Sequence, residues 1–172
     1  MGLAGTEKAF TEKLRKQTGI IMLDIGYTFA EISEELMQKE VNGFPMWKHF
    51  YHMLNSIDRI FAYSENYRFP DFHEDGLNSL GSKSGKTLSK DLLETYFKNI
   101  GEKVALYMDD MDDSKLLEEV ICQEMRISRF DLIVAQFRHI TWHMGYIQGC
   151  IRLETGKLPV YVGVNKDYYP IE

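Results

Sequence analysis

The stretch SRFDLIVAQFRHITWHMGYIQGCIRLET, residues 128–155, decides the fold more than any other part of the sequence. Ser128, followed three residues later by Asp131, matches a capping box, which marks the start of a helix. Apolar residues then recur at intervals of three and four, which is the helical period. They are Phe130, Ile133, Phe137, Ile140, Met144, Ile147 and Ile151. Gly156 and Pro159 follow, so we predict one helix that ends at about residue 155.

The same period fills most of the remaining chain, which is interrupted only by prolines 45, 70, 159 and 170. It predicts a first helix over residues 6–40 capped by Thr6 and a second over 46–65. A third starts at Ser89 or Thr87 and ends at about residue 111, and a short one over 114–125 is capped by Ser114. Residues 66–88, rich in Gly, Ser and Asp, are expected to form a loop. We predict an all-α single domain spanning 1–172: an antiparallel four-helix bundle with a short irregular C-terminal tail.

The composition excludes several classes of protein. Hydrophobic residues make up 44 % and charged residues 27 % of the 172 residues, as in globular proteins rather than disordered or membrane-spanning ones. The net charge of −6 argues against a nucleic-acid partner, because binding to phosphate backbones depends on Lys and Arg. Cys122 and Cys150 form no C-x-x-C motif, which fits a reducing, cytoplasmic location. We therefore expect neither nucleic acid nor membrane as a partner.

Two histidines in the last helix are the strongest candidates for chemistry. His139 and His143 are separated by about 40° around the helix axis and about 6 Å along it, so both imidazoles can reach one ion. They share a second stripe of the helix with Leu132, Ala135, Trp142, Tyr146 and Cys150. Few positions remain for a solvent face, so we expect this stripe, including Trp142 and Tyr146, to line protein or a pocket rather than meet water.

A third ligand would turn this pair into a metal site. The second helix offers His49 and His52, and antiparallel packing brings its first half beside the middle of the last helix. Helical periodicity alone favours His49, which lies about 80° from the centre of the apolar face against about 140° for His52. Three imidazoles leave one coordination position open, which is typical of catalytic rather than structural zinc sites.

Three segments together resemble one known family. YHMLNSIDRIF (51–61), RHITWHMGYIQGCIR (138–152) and the GKLP exit (156–159) are similar to the DinB/YfiT-like superfamily of metal-binding four-helix proteins, over roughly residues 15–165. The resemblance implies that His52, His139 and His143 bind a divalent metal ion, most often zinc or nickel, and that the protein is a homodimer. His52 matches because it directly precedes the MLNS segment, and His49 stays as the alternative.

The resemblance also implies a function. Members of this superfamily include S-transferases and isomerases that use low-molecular-weight thiols, and metal-dependent hydrolases. We therefore expect an enzyme in which the ion activates a thiol or water for attack on a small-molecule substrate. Gln136 and Tyr146, one turn on either side of the histidine pair, are candidates for orienting the ligands or the substrate. A non-enzymatic bundle that binds a metal ion or a small ligand is the alternative.

Overall fold

The computed structural model describes residues 8–41, 43–63, 66–82, 85–122, 124–157 and 159–163. Within these ranges the chain forms six α-helices and two small antiparallel sheets. Their bounds are α1 Ala9–Glu31, α2 Glu34–Gln38, β1 Glu40–Val41, β2 Phe44–Pro45, α3 Met46–Ile60, α4 Lys90–Asp110, α5 Asp113–Leu117, β3 Glu119–Cys122, β4 Met125–Ser128 and α6 Arg129–Thr155. Among the described residues, no helix is both long and apolar enough to cross a lipid bilayer.

The fold is mostly helical, as the sequence predicts, but it is not strictly all-α because the two sheets are present. Helix α6 begins after Ser128 and ends at Gly156, which takes a left-handed conformation with φ 70°. The side chain of Ser128 accepts a hydrogen bond from the backbone amide of Asp131, so the predicted cap is confirmed. In the predicted tail, residues 157 and 159–163 are neither helix nor strand, and the rest lies outside the described residues.

The predicted first helix is wrong in its length. Helix α1 ends at Glu31, Ile32 is extended and buried, and Ser33 begins the separate short helix α2 by accepting a hydrogen bond from the Leu36 amide. The apolar residues keep their helical spacing across the break at residues 32–33, so the sequence pattern gives no sign of the break. Thr6, the predicted cap, lies outside the described residues.

The carboxylate of Asp113 caps the start of α1. It accepts hydrogen bonds from the backbone amides of Phe10 and Thr11, at 3.1 and 2.8 Å, and from the Thr11 hydroxyl. A carboxylate in this position satisfies amides that have no partner inside the helix. Because Asp113 is more than 100 positions away in the sequence, local sequence signals cannot reveal this cap.

The predicted short helix over residues 114–125 is also wrong beyond its first turn. Helix α5 is capped by Asp112 rather than Ser114, and the chain then turns into the hairpin β3–β4. Strand β3 carries the β-branched pair Val120–Ile121, which favours strand over helix. Glu124 at the turn has a positive φ of 66°. The hairpin leads directly into α6 at Ser128 and so positions the start of that helix.

Helix α3 lies at the centre of the molecule. It packs against both α4 and α6, and α1 packs against the same two helices. It ends at Ile60, five residues before the predicted end. Twelve of its 15 residues are buried. The three that are not buried, His52, Ser56 and Arg59, are spaced as i, i+4 and i+7 and therefore form one stripe along the helix.

Candidate metal centre

The packing of α3 against α6 brings three histidines together. His52 comes from α3, and His139 and His143 come from consecutive turns of α6. The Nε2 atom of His139 lies 3.2 Å from Nε2 of His52 and 3.0 Å from Nε2 of His143. One nitrogen from each ring lies within 4.8 Å of the other two, which is close enough to hold a metal ion. The structure therefore brings together the three residues that the family resemblance implies.

A backbone carbonyl fixes the orientation of His52. Its Nδ1 atom lies 2.6 Å from the carbonyl oxygen of Asn78. A carbonyl can only accept a hydrogen bond, so Nδ1 carries the proton and Nε2 presents its lone pair to the other histidines. Histidines that bind metal ions are usually held by such a hydrogen bond from the second ring nitrogen.

Two side chains hold this carbonyl in place. The Asn78 amide donates a hydrogen bond to the side-chain oxygen of Asn55, and the Asn55 amide donates one to the Tyr67 hydroxyl, at 2.8 and 2.7 Å. Because Asn55 is on α3, three residues after His52, the loop is tied to the helix that carries the histidine. This chain of contacts lies behind the site, where sequence patterns give no signal for it.

Protons alone do not satisfy the two short contacts at His139. If Nε2 of His139 accepts a hydrogen bond from Nε2 of His143, it has no proton to share with His52, and the lone pairs of His139 and His52 face each other. If it carries the proton itself, that proton can point well at only one of its two neighbours. One ion shared by three lone pairs removes this conflict. Two nitrogens bound tetrahedrally to zinc lie about 3.3 Å apart, close to the distances of 3.2 and 3.0 Å in the structure.

Burial favours the neutral form of the two imidazoles on α6. It lowers the pKa of His139 to about 4, with further contributions from the neighbouring His52 and Arg59. Burial also lowers the pKa of His143 to about 3, and the charges of the neighbouring histidines add to this effect. A neutral imidazole is the form that binds a metal ion, so near pH 7 no proton has to be removed first.

His49, the alternative ligand, lies apart from this group. Its ring stacks on Tyr146 with centroids 4.4 Å apart, and its centroid is 6.3 Å from that of His143. Neither of its ring nitrogens has a hydrogen-bond partner within the described part of the chain, and burial lowers its pKa to about 4. His49 therefore borders the site through His143 without joining the group of three.

Gln136, Tyr146 and Trp142, the other residues predicted to matter in α6, differ in how far they are buried. Gln136 is buried, and its side-chain oxygen accepts a hydrogen bond from the Ser56 hydroxyl. Tyr146 donates a hydrogen bond to the carbonyl of Val41 and stacks on His49, so it supports the site from behind. The expectation that Trp142 lines a pocket is wrong. It is 64 % exposed and covers one edge of His143, with ring centroids 4.7 Å apart.

A cavity of about 520 Å³ opens beside the histidines. His52 and His139 lie on its wall, together with Ser56, Arg59 and Gln136. It is large enough for a small organic molecule. Sequence reasoning missed Arg59, although its position seven residues after His52 places both on one face of a helix.

Comparisons with protein-family models, with curated proteins and with solved structures found no match for this chain, so the functional interpretation depends on the geometry of the site.

Proposed function

We propose that His52, His139 and His143 bind one divalent metal ion, with zinc or nickel as the first candidates. The convergence of their nitrogens carries the proposal: the 3.2 and 3.0 Å contacts cannot both be good hydrogen bonds, and Asn78 holds the lone pair of His52 toward the centre. Three imidazoles suit zinc, nickel, iron or copper, so the donor set alone does not select the metal.

We further propose a metal-dependent enzyme of the S-transferase or hydrolase type that acts on a small molecule, with a low-molecular-weight thiol as one candidate substrate. A bound divalent ion lowers the pKa of a coordinated water or thiol and so supplies a nucleophile near neutral pH. Three protein ligands leave room for that group. The adjacent cavity of about 520 Å³ gives a second molecule access to His52 and His139.

The proposed family is the DinB/YfiT-like superfamily, with α1, α3, α4 and α6 as an antiparallel four-helix bundle. The pairing of α3 and α1 with the same two helices supports this arrangement. The position of His52 on one helix and of the His139–His143 pair on another supports the family. A homodimer and a cytoplasmic location belong to the same proposal.

A non-enzymatic protein that binds a metal ion or a small ligand is the second candidate. One observation favours it: none of the described residues that line the cavity is Asp, Glu or Lys, so apart from the histidines only Cys122 could act there as a general acid or base. An enzyme built this way would depend on the ion and on substrate positioning.

Metal content tests the site directly. The protein is purified without nickel affinity resin, and its metal is measured by mass spectrometry for the wild type, His143→Ala and His49→Gln. We expect about one equivalent in the wild type and in His49→Gln, and a large loss in His143→Ala, because three ligands become two. Equal metal content in all three proteins, or no metal in the wild type, would contradict the proposal.

A second measurement separates the two candidate functions. Thiol transfer to small electrophiles and ester hydrolysis are assayed with the metal-loaded protein, and thermal unfolding is compared before and after chelation. Turnover that chelation abolishes, with only a small change in stability, supports the enzyme. A large loss of stability with no turnover supports a binding role.

A further inference from the structure

One stripe of α3 faces the cavity while the rest of the helix is buried. His52, Ser56 and Arg59 are the three residues of α3 that are not buried, and all three line the cavity. Arg59 lies on the same face of α3 as Ser56 and His52. The helix therefore places one cation on the same wall as one imidazole of the cluster.

Unlike Arg15, Arg126 and Arg129, Arg59 has no ion-pair partner among the described residues. Arg15, Arg126 and Arg129 form ion pairs with Asp109, Glu119 and Glu118. Within the described ranges, Arg59 forms neither a hydrogen bond nor an ion pair. Its charge acts on the site, since it is one of the groups that lower the pKa of His139, after burial and His52.

The charge of the cavity is opposite to that of the chain. The protein has a net charge of −6, yet no described residue on the cavity wall is acidic. Arg59 is the cation among those residues, and a bound divalent ion would add more positive charge. A wall with this composition attracts anions and repels cations.

A second, independent group also requires an acceptor. Gln136 is 3 % exposed and lies on the cavity wall, and its oxygen is engaged by Ser56. Its amide nitrogen is buried and has no hydrogen-bond partner in the described part of the chain. A buried donor without a partner is costly, and an oxygen of a ligand in the cavity would satisfy it.

We propose that this cavity binds a small-molecule carboxylate, with Arg59 as its charge partner and the Gln136 amide as a second donor. One guanidinium matches the single charge and the two oxygens of a carboxylate, which it can bind in bidentate fashion. Arg59 is seven residues after His52, about 10 Å along the helix axis. The ligand therefore carries its carboxylate several bonds away from the group that meets the histidines.

This inference depends on the proposed function only in treating the ligand as a substrate. If the protein is an enzyme, its thiol or its electrophile carries a carboxylate. If it is a binding protein, the carboxylate is the feature that it recognises.

Two probes of equal shape test the proposal: 4-fluorobenzoate and the neutral 4-fluorobenzamide, followed by fluorine NMR. Each is titrated into metal-free protein and into protein loaded with cobalt(II), whose unpaired electrons broaden the signal of a nearby fluorine. The proteins compared are the wild type, Arg59→Gln, Arg59→Lys and Arg138→Gln. Arg138 is an exposed arginine of α6 outside the cavity wall and serves as the control for loss of a positive charge.

We expect the wild type to bind the benzoate at least about tenfold more tightly than the amide, because hydrogen bonds to a charged group are stronger than neutral ones. Arg59→Gln should remove this preference, Arg59→Lys should keep part of it, and Arg138→Gln should keep all of it. In the cobalt-loaded protein, the benzoate signal should broaden in proportion to its binding.

Equal affinity for both probes, or a preference that survives in Arg59→Gln, would overturn the proposal; the second result would show the carboxylate binding elsewhere, such as on the metal ion. Failure of the metal site gives a different result. If cobalt does not bind but metal-free protein shows the Arg59-dependent preference, the carboxylate pocket stands and the proposed metal function falls.

Discussion

At the scale of single residues, the site depends on the Nε2 atom of His139. It lies between Nε2 of His52 and Nε2 of His143, at 3.2 and 3.0 Å. His52 cannot turn away from it while its Nδ1 atom donates to the Asn78 carbonyl. Three lone pairs held this close repel one another unless a proton or an ion lies between them. The site is therefore organised before any ligand arrives, which favours tight binding.

The contact between Asn78 and Asn55 can be tested by mutation. Asn78→Ala keeps the backbone carbonyl but removes the side-chain bond that fixes it, so His52 becomes freer to rotate. We expect about a tenfold loss in metal affinity, the lower end of the range for residues that support metal ligands. Affinity is measured by competition with a chelator of known strength.

Asn55→Ala provides the control for that prediction. It removes the same bond from the other side, so the double variant should lose little more affinity than either single variant. Additive losses would show that the two asparagines act independently, contrary to the structure.

The pKa values of the buried histidines predict how the metal-free protein responds to acid. Burial lowers the pKa of His49 and His139 to about 4 and that of His143 to about 3, whereas an unfolded histidine has a pKa near 6.5. Between these values the unfolded chain binds more protons than the folded protein. Stability is therefore fully present above about pH 6.5 and is lost as the pH falls toward 4.

Urea unfolding of chelator-treated protein at pH 7.5 and pH 5 measures this effect. The midpoint should be lower at pH 5, and the drop should be smaller in His143→Gln, which lacks one of the three groups. A midpoint that stays constant or rises on acidification of the wild type would contradict the burial of these imidazoles.

The choice between His49 and His52 shows where residue-level prediction reaches its limit. Helical periodicity favoured His49 because it measures angles from the centre of a single apolar face. Helix α3 is buried on nearly all sides, so no such centre describes it, and the few positions left open carry His52. The family resemblance favoured His52, which the structure places in the group of three with His139 and His143, whereas the periodicity favoured His49, which lies outside that group.

At the scale of elements, short-range signals predicted the starts of α4 and α6. Ser89 and Ser128 cap α4 and α6 as the sequence indicates, because these caps involve residues only three positions apart. The carboxylate of Asp113 at the start of α1 and the hairpin β3–β4 were missed. The first depends on a contact between distant parts of the chain, and the second is too short for its alternation to stand out.

Helix caps give a prediction with a built-in control. Ser128 accepts a hydrogen bond from the Asp131 amide at the start of α6, whereas Ser114, the predicted cap of the short helix, only donates to the Asp112 side chain. Ser128→Ala should lower the free energy of unfolding by about 1 kcal/mol. Ser114→Ala should have a clearly smaller effect in the same urea titration. Equal losses would mean that these caps are assigned wrongly.

At the scale of the whole molecule, the packing of α3 between α4 and α6 connects the fold to the site. The core is continuous through these helices, with Phe50, Ile57, Ile100 and Ile147 among its buried residues. Two helices from distant parts of the chain are thereby held with their histidines face to face. The sequence predicted the long helices and the His139–His143 pair on α6. The cavity that Arg59 lines also depends on loop residues and on the hairpin, whose positions local sequence patterns do not predict.

Anomalous diffraction at the absorption edge of the metal can locate the single ion that we propose the three histidines bind. Crystals of metal-loaded protein should show one strong peak about 2.0–2.1 Å from an Nε2 atom of each of His52, His139 and His143. No peak between these rings in crystals of protein that contains metal, or a peak bound by His49 in place of His52, would show that these three histidines do not form the metal site.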